Sequence, residues 1–168
     1  MATNRPKINI PLEPLDVIVD ITSITLYVVM IIYTALNYNA LGDTIPIHFN
    51  ASGEADGFGN KTSVWVLPII GMVIYSILCI LNKYPHTHNY MVNITEENAF
   101  KNYRLSTRLV RFTNLFLAIL FTFIQYISIE KGKGYAIELG SWFTPTIIGI
   151  SIISPLLIMV YLQKINKA

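Results

Sequence analysis

Between Lys61 and Lys83 the chain carries no charged side chain, and three further windows repeat the pattern. Residues 21–37 belong to a run that stays uncharged as far as Asp43. Residues 112–129 lie between Arg111 and Glu130, and residues 142–162 between Glu138 and Lys164. A helix needs about 20 mostly apolar residues to cross the hydrocarbon of a bilayer. A soluble helical protein of this length would need charged outer faces, which these windows do not offer. The expected fold class is an all-α membrane protein with four transmembrane helices, near residues 17–37, 64–82, 109–129 and 143–162, in a single domain over residues 1–168.

Composition points the same way. Charged residues make up 13% of the chain, against roughly 25% in soluble domains. The net charge of +2, with no basic cluster interleaved with aromatics, gives no footprint for nucleic acid. The lone cysteine, Cys79, cannot form an internal disulfide. Acids and prolines precede the first apolar run, and no small-residue cleavage site follows it. That run is therefore expected to be a retained span and not a signal peptide.

Lys and Arg set the orientation. Arg5, Lys7, Lys83, Lys101, Arg104, Arg108, Arg111, Lys164 and Lys167 fall on one side of the spans; Lys61, Lys131 and Lys133 fall on the other. The richer side is expected to be cytoplasmic. Both termini then lie inside, and the polar, glycine-rich loop 41–61 faces out. Pro145 suits the first turn of the fourth helix. Pro68 and Pro155 are expected to kink their spans, with Ser151 and Ser154 near enough to satisfy freed carbonyls.

The second connection contains His86 and His88, a pair too small for a zinc site, which wants three or four ligands. No metal or other cofactor is expected. Thr95 can cap a helix whose first turn holds Glu96 and Glu97. Lys101, Arg104, Arg108 and Arg111 follow at helical spacing on one face. They read either as a basic collar over anionic headgroups or as a surface for an acidic ligand. Asp16, Asp20, Ser23 and Tyr27 share a face of the first helix. An acid at the depth of Asp20 is expensive unless paired, so Asp20 is expected within salt-bridge reach of Arg108 or Arg111.

In the outward loop, Ile45, Ile47 and Phe49 alternate with Pro46, His48 and Asn50, the period of a short strand with one apolar face. Gly53 supplies a turn, a second strand can return from Glu54, and Thr62 or Ser63 can cap the second helix. The expected product is a small extracytoplasmic β-hairpin between helices 1 and 2 that gathers His48, Asn50, Glu54, Asp56 and Lys61. Those residues suit a site for a metal, a peptide or a lipid headgroup. They equally suit plain turn chemistry, with Asn50 and Asp56 closing Asx turns and His48 bonded to a backbone carbonyl. No nucleophile–base pair, phosphate-cradling loop or metalloprotease motif accompanies them, so no enzymatic activity is expected.

The run Ile45-Pro-x-His-Phe-Asn-x-x-Gly-x-x-Asp-Gly-Phe-Gly-x-Lys61 resembles the signature of a bacterial membrane family known as domain of unknown function 1648. Asn89 to Asn93, Glu96, Glu97, Asn98, Tyr103 and Arg104 resemble its second shared block. The shared positions are Pro46, His48, Phe49, Asn50, Gly53, Asp56, Gly59 and Lys61. Gly42 and Phe58 stand where the family often has proline and tryptophan. The family also forms the N-terminal part of SdpI-type immunity proteins, which protect a bacterium from its own toxic peptide and carry further spans after the shared domain. The resemblance implies a multi-pass protein of the bacterial plasma (inner) membrane. Its partners would be the lipid bilayer and an extracytoplasmic peptide or other ligand, met as an immunity or sensor component. The alternative is a subunit of a transporter or channel lined by Thr34, Thr122, Gln125 and Ser151.

Overall fold

A computed structural model describes residues 5–166. Lys167, one of the cations counted for orientation, lies outside them. Among the described residues, four helices are long and apolar enough to cross a membrane: α1 (Pro14–Asn37), α2 (Val66–Asn82), α3 (Glu96–Gly132) and α4 (Phe143–Asn166). A two-stranded antiparallel hairpin, β1 (Thr44–Phe49) and β2 (Ala55–Asn60), stands between α1 and α2. The chain is a multi-pass membrane protein with a small hairpin between its first two helices. Large apolar side chains such as Ile18, Ile69 and Leu157 are more than half exposed; hydrocarbon is the solvent that makes such faces stable.

Contacts divide the chain into two compact units. The first comprises the residues up to Val29 together with Pro68–Thr122; the second comprises Met30–Leu67 together with the residues from Phe123 onward. Helices α1, α2 and α3 each supply residues to both.

The first unit is held by ion pairs between the α1 end and α3, by His88 bridging the Leu81 carbonyl of α2 and Ser106 of α3, and by a small aromatic core. Pro14 opens α1, where its missing N–H is no loss. Asp16 in the first turn accepts the Glu13 N–H through Oδ2 at 2.9 Å. The segment before α1 lies along the second connection. Arg5 donates to the carbonyls of His86 and His88 at 3.1 and 2.6 Å and stacks over the Tyr90 ring. Tyr103 donates to the Pro6 carbonyl at 3.0 Å, and Ile10 packs on Ile94, Ala99 and Tyr103. Burial pushes the Tyr90 phenol up to about 12. At the start of α3 the Thr95 N–H is accepted by Asn98 Oδ1 at 2.9 Å, so the cap is closed from inside the helix.

The second unit is built on Leu41, Ile45, Val64 and Ile129, with Tyr33, Tyr38 and Trp65 packed around them. Strand alternation does not survive intact. Pro46 pairs with Phe58 and His48 with Gly57, which leaves Ile47 as an extra residue in β1. This bulge puts Ile45 and Pro46 in the interior and turns Ile47 outward, 56% exposed. The apolar face expected from Ile45, Ile47 and Phe49 is thus broken at its centre. The cap before α2 is also displaced. Asn60 Oδ1 accepts the Thr62 N–H at 2.9 Å and starts a 3-10 turn, Lys61–Trp65, so neither Thr62 nor Ser63 caps α2. Pro68 consequently falls in the first turn of α2, where it does not kink the helix. Pro155 is inside α4, and Ser154 Oγ donates to the Ile150 carbonyl at 2.7 Å.

Candidate functional site

The hairpin brings two of its five candidate side chains into direct contact. His48 Nδ1 lies 2.5 Å from Asp56 Oδ1, and both side chains are exposed. The register causes this meeting. His48 pairs with Gly57 and Phe49 with Ala55, so Asp56 is the extra residue of β2 and its carboxylate swings to the imidazole. Gly57 is required there, because a Cβ on it would stand 2.9 Å from His48 Cβ. Asp56 is therefore not closing an Asx turn, and the His48 Nδ1 faces a carboxylate and not a backbone carbonyl.

Asn50 does carry turn chemistry. Its Oδ1 accepts the N–H groups of Ser52 and Glu54 at 2.9 and 3.0 Å, and its Nδ2 donates to Glu54 Oε2 at 3.1 Å. Gly53, at φ +79°, completes the turn. Lys61 belongs to neither pair; its Nζ lies 5.3 Å above the centre of the Tyr38 ring. The five residues thus form a His48–Asp56 pair, an Asn50–Glu54 tip and a separate lysine.

Beside the pair lies a cavity of about 560 Å³. Ile45, Ile47 and His48 of β1 form one wall, Val66 and Leu67 another, and Ile124 and Phe143 a third. Gln125 and Ser128 are its polar lining from α3. Gln125 Nε2 donates to Thr34 Oγ1 and to the Val64 carbonyl, both at 2.9 Å, and fixes the unwound start of α2. The sequence offered one signal for this cavity, the amide of Gln125 within the apolar run of α3. Nothing in the sequence placed Val66, Leu67 or Phe143 around it.

Residues proposed for a transport path have other partners. Thr34 Oγ1 donates to the Met30 carbonyl and accepts from Gln125; Thr122 Oγ1 donates to the Leu26 carbonyl at 3.3 Å. Ser151 is on an exposed face of α4.

The basic face of α3 is met by acids of α1. Arg104 Nη1 lies 2.5 Å from Glu13, Arg108 binds both Glu13 and Asp16, and Arg111 Nε lies 2.9 Å from Asp20 Oδ2. Arg111, and not Arg108, is the partner of Asp20. All three guanidinium groups of the expected collar thus pair with carboxylates of the α1 end of the chain. Lys101, on the same stretch, is also engaged. His88 is buried between Ser106 Oγ at 2.6 Å and the Leu81 carbonyl at 3.0 Å.

Residues 25–72 match the family model described as Domain of unknown function (DUF1648). The match runs from α1 through the hairpin into α2 and so contains His48, Asp56 and most of the cavity wall. The block from Asn89 to Arg104 lies beyond it. An uncharacterized protein of Archaeoglobus fulgidus is 36% identical over 52 residues, 31% of this chain and 28% of its own length. The chain therefore aligns with less than a third of that relative. No solved structure matches.

Proposed function

We propose that this is a non-enzymatic protein of the bacterial plasma membrane whose hairpin binds an extracytoplasmic ligand, as an immunity or sensor component. The ligand class is a cationic, membrane-active peptide. The exposed His48–Asp56 pair, whose histidine lines an apolar cavity, carries this reading. The Asp56 carboxylate held against His48 attracts a cationic group, and the cavity of about 560 Å³ that His48 lines accepts an apolar side chain. The strand register brings imidazole and carboxylate together, but an exposed pair of this kind contributes little to stability. Glu54 at the tip adds a second negative charge to the same hairpin. The resemblance of Ile45 to Lys61 to the shared domain of immunity proteins supports the class of ligand.

The test is a deletion strain challenged with a panel of membrane-active peptides. Selective hypersensitivity, reversed by the wild-type chain and not by a stably expressed His48→Ala chain, is the expected result. Full protection by the His48→Ala protein at normal abundance would remove the role assigned to the pair.

A further inference from the structure

Gln125 and Ser128 are 2% and 8% exposed, and both line the cavity of about 560 Å³ beside β1. Thr34 Oγ1 and the Val64 carbonyl take the two Nε2 hydrogens of Gln125. A carbonyl can only accept, which fixes how the amide is turned. Gln125 Oε1 is left without a donor, and the Ser128 hydroxyl without a partner, among the described residues. Neither oxygen is sealed inside the protein, so each opens on the cavity that its residue lines. The two residues are three apart on α3, which makes their side chains neighbours on one face.

Polar groups this deeply buried without partners are rare, and each calls for a water or a ligand group. Gln125 Oε1 only accepts, whereas the Ser128 hydroxyl both donates and accepts. One hydroxyl group matches the two, donating to Oε1 and accepting from Ser128. A carboxylate has no proton for Oε1, and an ammonium would carry its charge into a mostly apolar lining. The rest of the lining selects what bears the hydroxyl. Phe49 and Phe143 stand on it, and aromatic rings gain from packing on one another beyond simple burial. Gln125 and Ser128 come five and two residues before Glu130, the first charged residue of α3 after Arg111. At 1.5 Å per residue they lie only about 7 and 3 Å deeper than that charge. Tyrosine is enriched at this level of a bilayer, because its ring is apolar and its tip polar. We infer that the cavity takes a tyrosine side chain of the ligand peptide, its phenol hydroxyl bonded to Gln125 Oε1 and Ser128 Oγ. This rests on the reading of the hairpin as a peptide site and names the residue that enters.

The full chain in nanodiscs is dialysed to equilibrium against p-cresol, the tyrosine side chain as a free molecule. Toluene, the same ring without the hydroxyl, is measured in parallel, and empty nanodiscs give the lipid partition of each. Relative to that partition, p-cresol is expected to bind about tenfold tighter than toluene, the worth of one hydrogen bond. Gln125→Leu should bring the ratio close to one, and Ser128→Ala should cut it severalfold. The Ser128 side chain bonds nothing in the protein, so its variant stays informative if Gln125→Leu does not fold. Equal binding of the two probes by the wild type would mean that water keeps both oxygens and would overturn the inference. A ratio undiminished in folded Ser128→Ala would overturn it as well. In a peptide selected by the challenge above, replacing its tyrosine by phenylalanine should weaken binding about tenfold; unchanged binding would remove the peptide as the source of the phenol. The p-cresol measurement uses no peptide. Its failure removes the phenol site and leaves the peptide challenge standing, whereas failure of the challenge removes the peptide alone.

Discussion

Gly53 and Gly140 meet backbone to backbone. The Leu139 N–H donates to the Gly53 carbonyl at 3.0 Å, and a Cβ on Gly53 would stand 2.5 Å from the Gly140 carbonyl oxygen. This contact fastens the hairpin tip to the segment before α4. Gly53→Ala should therefore cost more than backbone strain alone. Gly134 is the control: its φ is +96°, yet nothing lies within 4 Å of its Cβ position. Gly134→Ala should lose about 1 kcal/mol from the left-handed backbone. Gly53→Ala should lose roughly 2–4 kcal/mol, because the clash with Gly140 adds to that strain. Thermal unfolding in detergent, read on both variants, checks the order; equal losses would show that the tip is not fastened there.

The spans were legible because charge is expensive in hydrocarbon, and the gaps between Lys, Arg, Asp and Glu are visible in one dimension. The hairpin was legible from Gly53 and the period of Ile45 to Phe49. Its register was not. The bulge at Ile47 depends on Gly57 and Gly59 accepting His48 and Ile47 at close range, a cross-strand fit that no single strand displays. The site followed the same division. His48 and Asp56 could be named together, but their contact depends on both being displaced by register shifts. The Asp20 pairing with α3 follows from the depth of that acid, whereas the partners of Arg108, Glu13 and Asp16, lie more than ninety residues away in sequence and carry no such signal.

The arginine–carboxylate ladder should be uneven in strength. Asp16 is 4% exposed and depends on Arg108, whereas Glu13 and Asp20 are more open. Arg108→Met leaves a buried carboxylate unpaired, at a cost of about 3–5 kcal/mol. Adding Asp16→Asn should recover most of it. Arg104→Met should cost about 1 kcal/mol or less, since its partner Glu13 is exposed and keeps Arg108. A double-mutant cycle on unfolding midpoints measures the coupling, and a value near zero for Arg108 and Asp16 would contradict the ladder.

His48 and Asp56 should behave in the opposite way. Both side chains are exposed, at 70% and 45%. His48→Ala and Asp56→Asn should each shift stability by less than about 1 kcal/mol. If the pair binds ligand, protection against the selected peptide is nonetheless lost in both. A large drop in abundance for either variant would return the pair to a structural role.

Gln125 tests packing against permeation. Its amide holds Thr34 and the Val64 carbonyl. Gln125→Leu leaves a buried carbonyl without its donor, at about 1–3 kcal/mol. If it lines no path, solute flux into proteoliposomes should be the same for the folded variant and the wild type. A change in flux selectivity would favour the transporter alternative.

Orientation decides whether the hairpin can meet an outside ligand at all, and the structure guides the choice of reporter. Ser52 is exposed at the hairpin tip. Ser106, at an obvious position on α3, is a poor counterpart because it bonds the buried His88 at 2.6 Å. Met91, 73% exposed in the second connection, reports without breaking that bond. With Cys79 replaced by serine, single cysteines at 52 and 91 are treated in intact cells with an impermeant thiol reagent. Counted along the sequence with four crossings, nine of the twelve Lys and Arg residues are expected on the side of Met91, and the bias of such residues toward the cytoplasm is expected to put that side inside. Position 52 should label in intact cells and position 91 only after lysis. Labelling of 91 without 52 would put His48, Asp56 and their cavity in the cytoplasm. An extracytoplasmic ligand would then have no access to them, whatever the outcome of the peptide challenge.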